Sequence, residues 1–433
     1  MDAETLHKKF LLSSGVCTDT RQIPENSIFF ALRGERFNGN LFVKTALEGG
    51  CRWAVADDPS LEGTPGVVIV PSVLGSLQDL ARLHRRYVNP TVLAITGSNG
   101  KTTTKELLSR VLSEKYSCLF TLGNLNNHIG VPLTLLRLKE EEVAVIEMGA
   151  NHPGEIATLA AIAEPDLGLI TNVGRAHLEG FGSPEGVLKA KGELYDYLAV
   201  SGGKALVDGD DELLLKKAEQ TGVESLSIGP GCRLSLGLEV LDQSPFLEIG
   251  LHIGQESYRL KTSLVGAYNL QNIKLAAAAG IQLGVPGTSI ASALESYRPE
   301  NMRSQLIRGT QNDVIFDSYN ANPSSMREAI GALTAYAGGS TMVILGDMAE
   351  LGASSDVEHL ELVKWMDGQG LGRIILVGPI FQRLIEPSEH RLVLGDVEAL
   401  EAYLDQHAPR DYNILVKGSR TMKLERLKGY LVR

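Results

Sequence analysis

Apolar runs and amphipathic segments alternate along most of the chain. Between residues 91 and 208 the apolar runs lack strict alternation, which is typical of strands buried on both faces of a parallel sheet. These runs are TVLAITG (91–97), EVAVIEMG (142–149), DLGLITNV (166–173) and KALVD (204–208). Because helical patterns lie between them, they predict an α/β domain.

The patterns before and after this region differ from it. The first 88 residues mix short strands with an amphipathic helix over 74–87, which predicts a small mixed α/β domain. Residues 223–265 alternate polar and apolar positions with a period of two and predict an antiparallel appendage. An alanine-rich helix is predicted over 269–284.

The last third of the chain predicts a second doubly wound domain, because apolar strands again alternate with helices. Its predicted strands span 313–320, 341–347, 373–378, 391–396 and 413–419. Asn89-Pro90 and Arg298-Pro299 break the helical patterns, since the residue before proline is pushed out of the helical region. We therefore predict three domains, 1–88, 89–298 and 299–433, with a cleft between the two larger sheets.

Composition narrows the possible partners. The chain of 433 residues has a net charge of −11, which argues against nonspecific binding to nucleic acid or to an anionic membrane. The beginning of the sequence does not resemble a signal peptide, and no run of about 18 apolar residues occurs. Its four cysteines have no C-x-x-C spacing, so we expect reduced, buried thiols in a cytoplasmic protein.

The segment TVLAITGSNGKTTTKELLSRVL (91–112) predicts a strand, a glycine turn and a helix. The common phosphate loop reads G-x-x-x-x-G-K-[ST], but here the first glycine is Gly97 and the loop is the shorter G-x-x-G-K-T. Its backbone N–H groups suit an anion, Lys101 would lie near the outer phosphates, and Thr102 offers a hydroxyl to Mg²⁺. The alternative is a helix N-terminus with an incidental lysine.

Polar residues near the carboxyl ends of neighbouring strands are candidates for the same site. Glu147 interrupts an apolar strand, so it should pair with a cation or bind a metal. His177 follows the next strand, and this position favours function over a structural histidine. Lys191 lies in a helical run, and from spacing alone we expect a solvated lysine.

Taken together, these segments resemble the Mur ligases, the ATP-dependent amide-forming enzymes of peptidoglycan synthesis. The resemblance rests on TGSNGKT (96–102), EMGANHPGEI (147–156), NVGRAHLEGFGSPEGVLKAKGELY (172–195), DSYNANPSSM (317–326), GDMAELG (346–352) and VKGSR (416–420), together with TDTR (18–21). It implies a UDP-binding domain, a central ATPase domain and a C-terminal Rossmann-like domain. It also implies ligation of D-alanyl-D-alanine to UDP-N-acetylmuramoyl-tripeptide through an acyl phosphate. Separately, we expect the protein to be a monomer.

The same resemblance implies ligands for ATP and for two Mg²⁺ ions. Thr102 and Glu147 would hold one ion and His177 the second, and Lys191 would be carbamylated. The implied ATP contacts are Gly97, Ser98, Asn99, Gly100, Lys101, Thr102 and Thr103 in the loop, Asn269 and Asn272 near the base, Arg303 at a phosphate and Asp317 at the ribose. The implied substrate contacts are Thr18, Asp19 and Arg21 for uridine diphosphate, and Asn124, Asn126 and Asn127 for the muramoyl-peptide.

Several alternatives remain open at the level of sequence. A sister ligase that adds the third stem-peptide residue, a folate-polyglutamate ligase, a noncatalytic UDP-sugar or nucleotide-binding protein and a P-loop ATPase of another kind are the rival interpretations. The sequence does not decide between lysine and diaminopimelate in the tripeptide, nor does it identify the residues that bind D-alanyl-D-alanine.

Overall fold

A computed structural model describes residues 1–174, 178–300, 302–336 and 340–432 of the chain, apart from the side chain of Leu178. The helices are α1 (Ala3–Phe10), α2 (Val43–Glu48), α3 (Val73–Val88), α4 (Lys101–Ser113), α5 (Gly130–Leu135), α6 (Glu155–Ala163), α7 (Leu178–Phe181), α8 (Pro184–Ser201), α9 (Glu212–Thr221), α10 (Asn269–Gln282), α11 (Gly287–Ser296), α12 (Pro323–Ala335), α13 (Ser355–Met366), α14 (Pro379–Leu384), α15 (Val397–Gln406) and α16 (Lys428–Leu431).

The strands fall within or close to the apolar runs. They are β1 (Val16–Cys17), β2 (Ile28–Phe30), β3 (Arg33–Gly34), β4 (Phe37–Asn38), β5 (Trp53–Ala56), β6 (Val67–Ile69), β7 (Thr91–Thr96), β8 (Cys118–Phe120), β9 (Val143–Glu147), β10 (Leu167–Ile170), β11 (Lys204–Asp208), β12 (Glu224–Gly229), β13 (Leu234–Asp242), β14 (Phe246–Ile253), β15 (Glu256–Val265), β16 (Gln305–Arg308), β17 (Asn312–Asp317), β18 (Ser340–Gly346), β19 (Arg373–Val377), β20 (Arg391–Leu394) and β21 (Tyr412–Lys417).

The N-terminal region forms a parallel sheet with the order β1-β2-β5-β6. Helix α3 packs its apolar face, including Leu77 and Leu80, into the core shared with the next domain. The Ser72 hydroxyl accepts a hydrogen bond from the Gly75 N–H at 3.1 Å and caps the start of this helix. The helix ends at Asn89, which adopts a left-handed conformation, so the break predicted at Asn89-Pro90 is confirmed.

The central sheet has the order β15-β14-β13-β12-β11-β10-β7-β9-β8. Strand β7 lies between β9 and β10 and is parallel to both, so the carboxyl ends of these strands meet at one edge. In the segment predicted to be antiparallel, the β13–β14 and β14–β15 pairs are antiparallel as predicted, but β12 pairs in parallel with β11 and β13. This segment is not a separate layer, because β13 pairs with β12 and extends the same sheet.

The last region folds as the second doubly wound unit that the pattern predicts. Its sheet has the order β16-β17-β21-β18-β19-β20 and is parallel except for the β16–β17 pair. One apolar cluster around Met326 and Phe381 and a second around Val314 and Leu400 account for its core. The polar carboxyl ends of β17 and β21 face the central domain across a cleft of about 1220 Å³.

The expectation that all four cysteines are buried is only partly correct. The four cysteines are free thiols, but only Cys17 and Cys51 are buried, and Cys118 and Cys232 are half-buried. The Sγ atoms of Cys17 and Cys51 lie 3.6 Å apart although the residues are distant in the sequence. Across the described ranges, every helix is too short or too polar to cross a bilayer.

Candidate active site

The glycine turn between β7 and α4 needs glycine at two positions. Gly97 has φ of +142° and Gly100 has φ of +78°, a region that L-residues with a Cβ rarely adopt. A Cβ at Gly97 would lie 2.0 Å from the Thr171 Oγ1, and one at Gly100 would lie 2.3 Å from the Asn272 Oδ1. Both neighbours are buried, so the turn is closely packed and leaves no room for a side chain at either glycine.

Residues after β10 fix the backbone of this turn. The Ser98 N–H donates to the Asn172 carbonyl at 3.0 Å, and the Asn99 N–H donates to the Asn172 Oδ1 at 3.0 Å. The Thr171 hydroxyl donates to the Asn99 carbonyl at 2.6 Å. The turn therefore has a preorganised conformation at the edge where β7, β9 and β10 end.

The lysine of the turn bends back over its own backbone. The Lys101 Nζ donates to the carbonyls of Gly97 at 2.6 Å and Ser98 at 3.1 Å. Burial lowers the pKa of Lys101, and the nearby Glu147 carboxylate opposes this shift. A phosphate would give this ammonium a stronger partner than two neutral carbonyls.

Thr102 and Glu147 come together as the strand order requires. The Thr102 hydroxyl donates to the Glu147 Oε2 at 3.0 Å, and the Asn126 Nδ2 donates to the Glu147 Oε1 at 2.8 Å. The Lys105 Nζ lies 3.9 Å from the Glu147 Oε2, and all but Asn126 of these residues are buried. The buried carboxylate thus has both a cation and hydrogen-bond donors around it.

The donor atoms at this point suit a hard divalent cation. A hydroxyl and a carboxylate oxygen are ligands that Mg²⁺ accepts, and its other positions are usually filled by phosphates and water. Within the described ranges, no group of three or more His, Cys, Asp and Glu side chains is arranged as a metal site. An ion at Thr102 and Glu147 would therefore depend on oxygen atoms of a bound nucleotide.

Lys191 is fully buried, so the expectation of a solvated lysine is wrong. Helix α8 packs against β10 and α6, which removes the lysine from water. Its Nζ donates to the Ala150 carbonyl at 3.2 Å and lies 5.0 Å from the centre of the Phe181 ring. Burial, followed by repulsion from Lys101, lowers the pKa of Lys191 to about 7. His177 lies outside the described residues.

The two asparagines expected near the base are buried in a hydrogen-bond chain beside the turn. The Asn269 Nδ2 donates to the Val265 carbonyl at 2.8 Å, and the Asn272 Nδ2 donates to the Asn269 Oδ1 at 2.8 Å. The Thr104 hydroxyl donates to the Asn272 Oδ1 at 3.0 Å. Both asparagines line the cleft, but much of their polar capacity is used within the protein.

The C-terminal domain completes the cleft with residues that sequence reasoning did not single out. Lys417 pairs with the Asp317 carboxylate, which also accepts the Ser304 N–H at 3.1 Å. The guanidinium carbon of Arg303 lies 3.5 Å from the centre of the Tyr319 ring. Tyr319 and Lys417 lie at or just after the carboxyl ends of β17 and β21, so the rule that identified Glu147 could have identified them.

Most of the predicted residues line one cleft, which also includes Leu74 and Gln78 of the N-terminal region. Those brought together are Ser98, Asn99, Gly100, Lys101, Thr102, Thr103, Asn124, Asn126, Asn127, Glu147, Asn269, Asn272, Arg303 and Asp317. Gly97 and Lys191 are not among the lining residues, although Lys191 is near enough to Lys101 to be repelled by it.

The residues expected to hold uridine diphosphate lie away from this cleft. Thr18, Asp19 and Arg21 follow β1 and are not among the residues that line it. Arg21 forms an exposed ion pair with Asp19. The hydrogen bonds that the Arg21 side chain and backbone donate to the Asp19 carboxylate lower the pKa of Asp19 to about 2. In the group expected to contact the peptide, the Asn127 Oδ1 already accepts the Ile129 and Gly130 N–H groups at 3.1 and 2.9 Å.

Two protein families match consecutive parts of the chain. The Mur ligase middle domain matches residues 95–280, and the glutamate ligase domain of Mur ligases matches residues 302–420. The first match contains the turn, Glu147 and Lys191, and the second contains the residues of the C-terminal side of the cleft. The two matches thus cover both walls of the site.

Relatives and solved structures agree over almost the whole chain. The UDP-N-acetylmuramoyl-tripeptide–D-alanyl-D-alanine ligase of Bacillus subtilis is 35% identical over 96% of this chain and 93% of its own. That of Escherichia coli is 35% identical over 95% and 92%. A MurF crystal structure from Acinetobacter baumannii has a TM-score of 0.89, 32% identity and coverage of 99% and 98%. The Thermotoga maritima MurF ligase in complex with ADP has a TM-score of 0.85, 28% identity and coverage of 97% and 97%.

Proposed function

The chain belongs to the Mur ligase family, and from this premise we propose that it joins D-alanyl-D-alanine to UDP-N-acetylmuramoyl-tripeptide with cleavage of ATP to ADP and phosphate. The UDP-N-acetylmuramoyl-tripeptide–D-alanyl-D-alanine ligases of Bacillus subtilis and Escherichia coli match the chain over more than nine-tenths of its length. The reaction makes an amide from a carboxylate and an amine in two steps. It would contribute a precursor to peptidoglycan synthesis.

One observation carries this proposal more than any other. The Thr102 hydroxyl and the Glu147 carboxylate lie 3.0 Å apart at the edge of the sheet, beside the glycine turn. The cleft above them is lined by residues from all three regions, such as Gln78, Lys101 and Lys417. With a volume of about 1220 Å³, such a cleft is large enough for a nucleotide and for the reacting ends of two further substrates.

In the first step, the terminal carboxylate of the tripeptide attacks the γ-phosphate of ATP, which gives an acyl phosphate and ADP. Both reactants are anions, and two unit charges about 4 Å apart repel by roughly 4 kcal/mol at an effective dielectric of 20. Lys101 and Arg303 offset this repulsion, and the N–H groups at the start of α4, from Gly100 onward, hold the phosphates in place. Ser98 and Asn99 shape the turn, because their own N–H groups donate to Asn172.

The nucleotide would be held from both walls of the cleft. Asn269 and Asn272 lie at the base and Asp317 at the ribose, which their positions in the lining of the cleft support. Thr102 and Glu147 would hold Mg²⁺, which when bound neutralises charge on the phosphates. We extend the proposal to a second Mg²⁺ at His177.

Carbamylation of Lys191 is a further part of the proposal. Its pKa of about 7 leaves a substantial fraction of the amine neutral near physiological pH. A neutral amine can add CO₂ and release a proton, which gives a carbamate and converts a cationic side chain into an anionic one. That anion would relieve the repulsion between Lys191 and Lys101, and it could approach a metal ion.

In the second step, the amine of D-alanyl-D-alanine attacks the acyl carbon, and the tetrahedral intermediate collapses to the amide and phosphate. The acyl phosphate must be kept from water while it waits for the amine. We propose that the region 299–433 closes over the central region 89–298 around a hinge near Tyr297 and Arg303. Arg303 would then move with the wall that carries the amine.

The region 1–88 is proposed to hold the UDP moiety through Thr18, Asp19 and Arg21. These side chains are exposed or half-buried, which leaves them accessible to a ligand. Asn124, Asn126 and Asn127 line the cleft between this region and the turn, which supports contacts with the muramoyl-peptide.

A phosphate-release assay tests the proposed function directly. The purified chain would be given ATP, Mg²⁺ and a UDP-tripeptide that contains either lysine or diaminopimelate, each with and without D-alanyl-D-alanine. We expect release that requires both substrates, and the Lys101→Ala variant should be inactive but folded. Release without the dipeptide, or with a single amino acid in its place, would favour another ATPase or a sister ligase.

A further inference from the structure

Two arginines share one aromatic ring on the C-terminal side of the cleft. The guanidinium carbon of Arg303 lies 3.5 Å from the centre of the Tyr319 ring, and that of Arg420 lies 5.0 Å from it. In the part of the chain that the structure describes, no carboxylate lies within ion-pair distance of either guanidinium. Both cations are therefore available to an anionic ligand.

The backbone that carries Arg420 is held firmly at the carboxyl end of β21. The Lys417 Nζ donates to the Asn320 carbonyl at 3.1 Å, and the Ser419 hydroxyl donates to the Asp347 carbonyl at 2.7 Å. A Cβ at Gly418 would lie 3.0 Å from the Gly346 Cα, so this turn packs directly on the end of β18. Arg420 thus projects from a fixed point, and Tyr319 supports its side chain.

The two arginines lie at different distances from the phosphate turn. Arg303 lines the cleft, and its repulsion adds to the effect of burial, which is the main cause of the lowered pKa of Lys101, so Arg303 belongs to the phosphate end of the site. Arg420 is exposed and is not among the lining residues, so it lies farther out on the same wall. The guanidinium carbons are no more than 8.5 Å apart, which is the sum of their distances to the Tyr319 ring centre.

This upper limit on the separation is compatible with the length of the second substrate of the proposed reaction. A dipeptide has an amine that must reach the acyl carbon and a carboxylate at its other end, about 7 Å away when extended. An uncompensated carboxylate beside the triphosphate would be repelled, so it needs a cation at about that distance from the reacting centre. A guanidinium can hold a carboxylate through two parallel hydrogen bonds.

We propose that Arg420, supported by Tyr319, binds the C-terminal carboxylate of the incoming dipeptide and selects dipeptides in which that carboxylate is free. This inference rests on the proposed function, because it concerns the second substrate of that reaction. Arg420 acts by binding and takes no part in the transfer of the phosphoryl or acyl group.

The test compares D-alanyl-D-alanine with D-alanyl-D-alaninamide, which keeps the amine and lacks the carboxylate charge. Phosphate release is measured for the wild type and for the Arg420→Ala, Arg420→Lys and Arg410→Ala variants. Arg410 is the matched control, because it is an exposed arginine just before β21, at the opposite end of that strand. ADP affinity and melting temperature verify that each variant is folded.

We expect the wild type to prefer the dipeptide over its amide, and Arg420→Ala to raise the KM for the dipeptide by about 10- to 100-fold. The preference over the amide should disappear in Arg420→Ala, whereas the KM for ATP and for the UDP-tripeptide should stay unchanged. Arg420→Lys should recover part of the preference, and Arg410→Ala should behave as the wild type. An unchanged preference in Arg420→Ala overturns the inference alone. A wild type that releases no phosphate with any dipeptide overturns the proposed function as well.

Discussion

Asn322 of the C-terminal domain is hydrogen-bonded to Asn99 of the glycine turn, with 2.7 Å between the Asn322 Nδ2 and the Asn99 Oδ1. The same Asn322 side chain caps α12, because its Oδ1 accepts the Ser325 N–H at 2.9 Å. One residue therefore both starts a helix of the last domain and contacts the predicted phosphate site. Any movement of this domain relative to the central one would therefore break or shift the hydrogen bond to the turn.

Substitution of Asn322 separates these two roles. Serine caps helices as well as asparagine does but is too short to reach Asn99, whereas alanine does neither. We expect Asn322→Ser to keep the wild-type melting temperature and to lower kcat/KM for ATP by about 2- to 10-fold, the range for one hydrogen bond. Asn322→Ala should show the same loss of activity and also lose about 1 kcal/mol of stability. Wild-type kinetics in Asn322→Ser would mean that the contact has no role in turnover.

We expect substitution of Gly100 to impair nucleotide binding in addition to stability. Gly100 and Gly202 have φ of +78° and +77°, but a Cβ would meet the Asn272 Oδ1 only at Gly100. We expect Gly202→Ala to lose about 1–2 kcal/mol of stability from backbone strain, and Gly100→Ala to lose more because its Cβ must also displace the buried Asn272 side chain. Calorimetry with ADP should find at least a tenfold loss of affinity in Gly100→Ala only. Equal affinities in the two variants would argue against close packing of the turn.

The buried amine of Lys191 should give the protein a specific pH dependence of stability. Its pKa is about 7 in the folded chain and 10.5 as the ordinary value, so between these pH values the unfolded chain holds one more proton. The free energy of unfolding contributed by this group therefore rises with pH, at up to about 1.4 kcal/mol per pH unit.

Urea unfolding in CO₂-free buffer at pH 7.5 and pH 9 measures this contribution against Lys191→Met, which lacks the titrating group. We expect the difference between wild type and variant to shift toward the wild type by about 2 kcal/mol over that interval. Parallel pH profiles for the two proteins would contradict a neutral, buried Lys191.

Lys191→Ala should be almost inactive if a carbamate at this position takes part in the reaction. A small carboxylate such as acetate should partly restore activity, because it can enter the cavity and replace the lost negative charge. Chloride at the same ionic strength should not restore activity, and Lys189→Ala, an exposed lysine of the same helix, should be fully active. Full activity of Lys191→Ala would exclude a role for the carbamate.

The sequence predicts the sheet and one half of the site because both depend on local patterns. The apolar runs at β7 and β9 identify buried parallel strands, and the rule that ligands bind at their carboxyl ends then brings Thr102 to Glu147. Short strands with weak patterns, such as β8 and β5, were not predicted. The antiparallel strands were predicted, but their continuity with the main sheet was not, because it depends on the pairing of β12 with β13.

The features that the sequence does not predict depend on contacts between segments that are distant in the chain. Burial of Lys191 follows from the packing of α8 on α6 and β10, which no spacing within α8 reveals. The contact of Asn322 with Asn99 joins residues that are 223 positions apart. Arg420 contacts Tyr319 because these residues follow the adjacent strands β21 and β17 of the C-terminal sheet. Periodicity can place each residue on an element, but it cannot choose which elements face each other.

The central claim is that the turn at residues 97–102 binds the triphosphate of ATP and that Thr102 and Glu147 hold its metal ion. A crystal structure with a nonhydrolysable ATP analogue and Mg²⁺ tests it most directly. We expect the phosphates against the N–H groups of the turn and the Lys101 ammonium, and the ion in contact with the Thr102 and Glu147 oxygens. An analogue bound elsewhere, or an ion remote from Glu147, would contradict the account.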